Sequence, residues 1–93
     1  MVLLDVLGKR WTLRILWELR SASLTFRAIQ EACGGISPTV LNDRLKTLRV
    51  YGLVELTNAG YRLTEAGQEL GARLKDLDHW AAGWAEAQGS EQE

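Results

Sequence analysis

Between Pro38 and Tyr51 the chain carries Thr39, Asn42, Asp43 and Lys46 at spacings of three and four, with Thr47 and Arg49 beside them. These side chains can read nucleic acid. An amide can bond an adenine edge, a carboxylate can accept from cytosine N4, and short hydroxyls serve either role. Cations further along neutralise phosphates and hold the register. Such a set works only if one rigid element presents it on one face.

The flanking residues supply that element. Ser37 can accept from the first free N–H groups of a helix, and Pro38 at the first helical position has no N–H to waste. Leu41, Leu45 and Leu48 fall at i, i+4 and i+7 as one apolar stripe, opposite the polar face. Gly52 supplies a left-handed stop. A helix over about residues 38–51 is expected, with its first N–H groups, set by Ser37 and Pro38, aimed at a phosphate. Thr39, Asn42 and Asp43 would then meet base edges, and Arg44, Lys46 and Arg49 phosphates.

Upstream, Thr25 caps a helix from Phe26 to about Cys33 that turns Phe26, Ile29 and Ala32 or Cys33 inward and Arg27, Gln30 and Glu31 outward. Gly34-Gly35 ends it. Helix, glycine turn and capped helix make a helix-turn-helix pattern. After Gly52 the period drops to two as Val54 and Leu56 alternate with Glu55 and Thr57; Asn58-Ala-Gly60 turns, and Tyr61-Arg-Leu-Thr64 returns. That hairpin is a wing, with Arg62 its one cation. Ahead of this core, Val2–Leu7 is a short apolar helix or turn ending at Gly8. A helix runs from about Trp11 to Arg20 on Leu13, Leu16, Trp17 and Arg20, with Ile15 and Leu19 widening the stripe so that it is buried on more than one side, and Leu24-Thr25 adds a very short strand. Thr64 caps a long last helix, Glu65 favouring its N-terminus, to about Ala87. The expected fold is mainly α with a small β-hairpin: one winged helix-turn-helix domain over residues 1–87 and a frayed polar tail over 88–93.

Leu70, Leu74, Leu77, Ala81 and Trp84 on the last helix are spaced 4, 3, 4, 3, a heptad-like seam with Trp80 on its edge. Part of it can cover the domain's own core. The remainder, ending in two tryptophans, fits a two-fold homodimer joined by Val2, Leu3 and Val6.

Composition narrows the function classes. Ninety-three residues form one small domain, which burial in a dimer would help to stabilise. No apolar run approaches the roughly 18 residues of a membrane span. One Cys and one His exclude both a disulfide framework and a closed zinc site within the chain. A cytoplasmic, nucleoid-associated location is expected, with no membrane partner and no cofactor. The net charge of −1 is split unevenly: residues 1–50 hold eight Lys/Arg against four Asp/Glu, net +4, and residues 51–93 hold three against eight, net −5. The polar helix lies in the basic half, which is the local requirement for phosphate binding. No phosphate loop or nucleophile–base pair occurs, so an enzyme is not expected. His79 beside Trp80 fits packing, and the four tryptophans fit a core or dimer better than a ligand pocket.

Several segments together resemble the HxlR-type winged helix-turn-helix regulators. Leu7-Gly-Lys-Arg-Trp-Thr-Leu-Arg-Ile-Leu16 is similar to that family's "L-x-G-K-W-T-x-x-I-L", and Thr25-Phe-Arg-Ala-Ile29 to "R-F-x-E-L". Gly35-Ile-Ser-Pro-Thr-Val-Leu-Asn-Asp-Arg-Leu45 is similar to "G-I-S-x-x-x-L-x-x-x-L", and Tyr61-Arg-Leu-Thr-Glu-Ala-Gly67 to "Y-x-L-T-x-x-G", while His79-Trp80 falls near the family's closing Trp. The resemblance implies a prokaryotic transcription regulator that binds double-stranded DNA as a homodimer, its N- and C-terminal helices forming the dimer. Three features depart from the family. The cysteine that many members carry before the first helix is missing, and Cys33 fits a small buried hydrophobe. The wing is short, and Asp43 places a carboxylate on the polar face, where it either discriminates sequence or pairs with Lys46 or Arg44 along the helix.

The expected function is sequence-specific regulation of transcription at a palindromic operator through Arg27, Ser37, Pro38, Thr39, Asn42, Asp43, Arg44, Lys46, Arg49 and Arg62. No residue pattern names an effector. The alternative is a winged-helix module that binds protein, for which Val40 and Val50 near the polar face would be the apolar contacts.

Overall fold

The computed structural model describes residues 2–92, with side chains through Gly89. Five helices and a hairpin follow in order: α1 (Val2–Leu7), α2 (Thr12–Glu18), α3 (Phe26–Cys33), α4 (Pro38–Val50), β1 (Val54–Thr57), β2 (Gly60–Leu63) and α5 (Glu65–Gln92). Mainly helical with one two-stranded wing, this is the expected winged helix-turn-helix.

Local chemistry sets the helix ends. Thr25 Oγ1 accepts the Ala28 N–H at 3.1 Å at the start of α3, and Ser37 Oγ accepts the Val40 N–H at 3.2 Å at the start of α4. Gly34 closes α3 in the left-handed region at φ 69°. At the other end of α4 the Leu53 N–H bonds the Leu48 carbonyl at 2.9 Å and the Gly52 N–H bonds that of Arg49 at 3.0 Å. With Gly52 at φ 72°, that pair is the Schellman arrangement, which stops the helix and turns the chain into the wing.

Leu41, Leu45 and Leu48 of α4 share one buried core with Ile15 and Leu16 of α2, Leu19 just past its end and Ile29 of α3, while Leu53, Val54 and Leu63 add to it from the wing and the turn before it. The hairpin pairs Val54 with Leu63 through Thr57 with Gly60, across a two-residue turn at Asn58-Ala59. Leu24 adds the expected short strand by exchanging two backbone hydrogen bonds with Tyr61, at 2.9 and 2.8 Å. The chain passes so close there that a Cβ on Gly60 would meet the Leu24 carbonyl.

Four expectations change. Trp11 does not begin α2; it caps the helix in a left-handed conformation at φ 77°, and α2 ends at Glu18 rather than Arg20. Leu13 is exposed; the buried side is the one expected to be widened by Ile15 and Leu19, with Leu16 and Thr12. Val6 is 6% exposed and belongs to the domain's own core, which removes it from any dimer surface. The expected tail over 88–93 continues α5 as far as Gln92, since Ala87, Gln88, Glu91 and Gln92 are good helix formers and no proline intervenes. Met1 and Glu93, the outer ends of the two expected segments, lie outside the described residues.

Leu70 and Leu74 pack against the core from one side of α5, and the helix then runs past the domain. Its 28 residues, about 42 Å at 1.5 Å per residue, account for the 49 Å long axis of a molecule 26 and 25 Å across.

Candidate nucleic-acid interface

The stripe of three buried leucines turns the opposite side of α4 outward. Thr39, Asn42, Asp43, Lys46, Arg49 and Val50 are all exposed there, and Ser37 and Pro38 lie at its exposed N-terminus. Among the described residues no ion pair or hydrogen bond engages the side chains of Asn42, Lys46 or Arg49. Val50 is 74% exposed, so the middle of a polar face carries one branched apolar group. A methyl-bearing side chain there suits contact with a thymine methyl.

The other expected site residues are partly committed. Arg44 keeps only 19% of its side chain exposed; its Nε–H donates to the Arg10 carbonyl at 2.9 Å and its Nη1 pairs with Asp43 Oδ2 at 2.6 Å. It therefore ties α4 to the turn before α2 instead of standing free for a phosphate, and Asp43 is half-neutralised by it. Arg62 pairs with Glu55 across the wing at 2.6 Å, and Arg27 with Glu31 one turn along α3 at 3.4 Å. Exposed pairs of this kind contribute about 0–1 kcal/mol, so an approaching phosphate can displace them.

Lys46 and Val50 form a ridge with a groove on each side. The wing-side groove is lined by Arg49, Val54, Glu55 and Leu56. The opposite groove is lined by Asp43, Thr47, Tyr51 and Lys9. Lys9 was missed by sequence reasoning because it lies far from α4 in the chain, although the Gly8-Lys9-Arg10 triplet was the available signal.

The expected dimer seam divides. Leu70 and Leu74 are half-buried against the core, Ala81 lines an apolar groove with Leu13 and Trp17, and Leu77, Trp80 and Trp84 are exposed. The Trp80 and Trp84 rings stack at 6.2 Å between centroids with 15° between planes, though Trp80 remains 61% exposed. On α1, Val2 and Leu3 are exposed, together with Leu4, which sequence reasoning did not single out. No helix among the described residues is long and apolar enough to cross a membrane.

A capped helix held by a helical core with its polar face outward, followed by a wing, defines the DNA-binding class of winged helix-turn-helix proteins. The chain matches the HxlR-like helix-turn-helix family over residues 6–89 and belongs to that family of transcription regulators. It is 33% identical over 87 residues to the HTH-type transcriptional regulator YvaP of Bacillus subtilis, a match spanning 86% of this chain and 81% of YvaP. The quinone-bound structure of YodB from B. subtilis superposes with a TM-score of 0.81 at 34% identity, over 88% of this chain and 93% of that one. A possible HxlR family transcriptional factor from Thermoplasma volcanium gives 0.78 at 33% identity, over 89% and 81%.

Proposed function

We propose that this protein binds double-stranded DNA as a two-fold homodimer, with α4 of each protomer in the major groove of a palindromic operator. The observation that carries this reading is the outward face of α4: base-reading groups and unpaired cations on one rigid, capped helix. Thr39 and Asn42 meet base edges, Asp43 selects for cytosine N4, Val50 touches a thymine methyl, and Lys46 and Arg49 neutralise phosphates. Arg27 and Arg62 add phosphate contacts once their surface pairs open. Ser37 and Pro38 leave the first N–H groups of α4 facing a phosphate.

The homodimer rests on the exposed apolar surface that one domain cannot cover: Val2, Leu3 and Leu4 of α1 with Leu77, Trp80 and Trp84 of α5. A palindromic operator with half-sites one helical turn apart requires the two-fold axis to hold the two recognition helices about 34 Å apart. Cys33, the one cysteine, is buried, and that burial pushes its thiol above the ordinary value, away from the reactive thiolate.

Electrophoretic shift with genomic DNA fragments across a salt series, paired with sedimentation of the free protein, tests the reading. A dimer whose duplex binding weakens steeply with salt supports it. Salt-insensitive binding, or none to any duplex at low salt, would put a protein-interaction module in its place.

A further inference from the structure

A helix with its side chains is about 10–12 Å wide and fills a major groove of about 12 Å, so each flank meets one phosphate strand. On the wing flank of α4 stands Arg49. On the other flank α4 offers Asp43, already bound to Arg44, and the uncharged Thr47 and Tyr51. The positive charge on that side comes from another element: Lys9, in the turn between α1 and α2, lines the same groove.

That turn is fixed, not loose. The Lys9 N–H bonds the Val6 carbonyl at 3.3 Å, and the Thr12 N–H bonds the Lys9 carbonyl at 3.2 Å. Trp11 adopts the left-handed region at φ 77°, where bulky L residues are genuine outliers. Its ring lies against Gly35 in the turn before α4, where a Cβ would come within 3.8 Å of it. The Arg10 guanidinium sits over that ring, 5.3 Å from its centroid. From α4 itself, Arg44 reaches back to the Arg10 carbonyl at 2.9 Å. A strained backbone pinned from the recognition helix places Lys9 beside it, with the exposed Arg10 next in the same turn.

We propose that the turn at Lys9 and Arg10 is a second DNA-phosphate contact, gripping the strand on the flank of α4 opposite the wing, with Arg44 as its positioning residue. The inference rests on the DNA reading above and adds a contact to it. Lys9 and Arg10 are exposed, so replacing either leaves the core intact.

The test uses the full chain and a mixed-sequence duplex long enough for two half-sites, with the association constant followed across a potassium chloride series. Lys9→Ala should flatten the log–log slope by about 2 for a dimer, as should Lys46→Ala, while Lys75→Ala on α5 leaves it unchanged. In an Arg44→Ala background Lys9→Ala should flatten it no further, whereas Lys46→Ala still does; a merely structural Arg44 would not separate the two lysines. If Arg44→Ala fails to fold, the single Lys9→Ala variant decides. A parental slope for Lys9→Ala alongside a flattened one for Lys46→Ala overturns the turn contact alone. A parent that binds no duplex overturns it together with the DNA reading.

Discussion

Thr64 donates its hydroxyl to the carbonyl of Gly52, and the same oxygen accepts the Gly67 N–H at 3.1 Å. The Thr64 N–H bonds the next carbonyl, that of Leu53, at 3.1 Å. One residue thus joins the end of the recognition helix, the root of the wing and the start of the long helix. Gly67 permits the join, because any Cβ there would overlap the Leu53 carbonyl. The angle between the DNA-facing helix and the projecting α5, and hence the separation of two recognition helices across a dimer, depends on it.

Gly67→Ala should therefore destabilise the fold by about 3 kcal/mol, as overpacking against immovable backbone does. Gly89→Ala, on an open part of the same helix, should act the other way by up to about 1 kcal/mol. Urea unfolding of both variants checks the pair. Equal, small effects at the two positions would show that Leu53 and α5 are not in close approach.

The pattern around this joint shows what a sequence makes legible. Thr64 was readable as a cap and Gly52 as a stop, since each acts on its own neighbours. Gly67 read only as part of a matching motif; its physical reason is the Leu53 backbone, fourteen residues away in the chain, as that for Gly60 is the Leu24 backbone, thirty-six away. Periodicity placed α4 and its buried leucines closely. It misplaced the N-terminus of α2, because no local signal announces a tryptophan in the left-handed region. Pairing was legible only within a helix. Asp43 with Arg44 was one of the readings open for that carboxylate, whereas the bond from Arg44 to the Arg10 carbonyl joins residues far apart in the chain, and Val6 looks like surface until the core closes over it.

Asn42 and Lys46 should separate base reading from phosphate binding. Asn42→Ala should cost about 1–3 kcal/mol at particular base pairs and leave non-specific binding nearly intact. Lys46→Ala should weaken all sequences alike. Binding to a selected operator and to its single-base variants, measured at one salt concentration, distinguishes the two. Uniform loss for Asn42→Ala would remove it from the base-reading set.

The wing is electrostatically muted by Glu55, which holds Arg62 at 2.6 Å. Glu55→Gln frees that guanidinium and removes a charge that repels phosphate. Stability should change by no more than about 1 kcal/mol, since both side chains are substantially exposed. Duplex affinity should rise, with a log–log salt slope steeper by up to about 2 per dimer. An unaltered slope would mean that the short wing stays clear of the DNA.

Cys33 gives a pH dependence. Burial raises its pKa from the ordinary 9.0, Arg14 pulls weakly the other way and Glu18 pushes up. A raised folded-state value means that the unfolded chain loses its proton first. The stability from this group is therefore complete below pH 9.0 and is lost as pH rises through the folded value. Cys33→Ala should flatten the alkaline side of the stability profile, at the cost of a small cavity. At neutral pH the native thiol should react with a disulfide reagent far more slowly than the unfolded one. Equal rates in native and denatured protein would contradict the burial.

Leu77 and Trp84 are both more than half exposed on α5, Leu77 at the rim of the groove it shares with Leu13 and Trp17, so replacing them tests assembly with little loss of core packing. Buried interface tryptophans are commonly worth about 2 kcal/mol or more on truncation. In a two-fold interface every substitution is made twice. Trp84→Ala should then weaken the dimer by about 4 kcal/mol, roughly a thousandfold in the dissociation constant. Leu77→Glu places two carboxylates at the same seam and should give monomer at micromolar concentration, with circular dichroism unchanged. The monomer presents one recognition helix, so its salt slope on DNA should fall to about half that of the parent. Sedimentation equilibrium of both variants decides the matter: if either associates as tightly as the parent, the two copies meet through another surface and the half-site spacing must be derived again from that one.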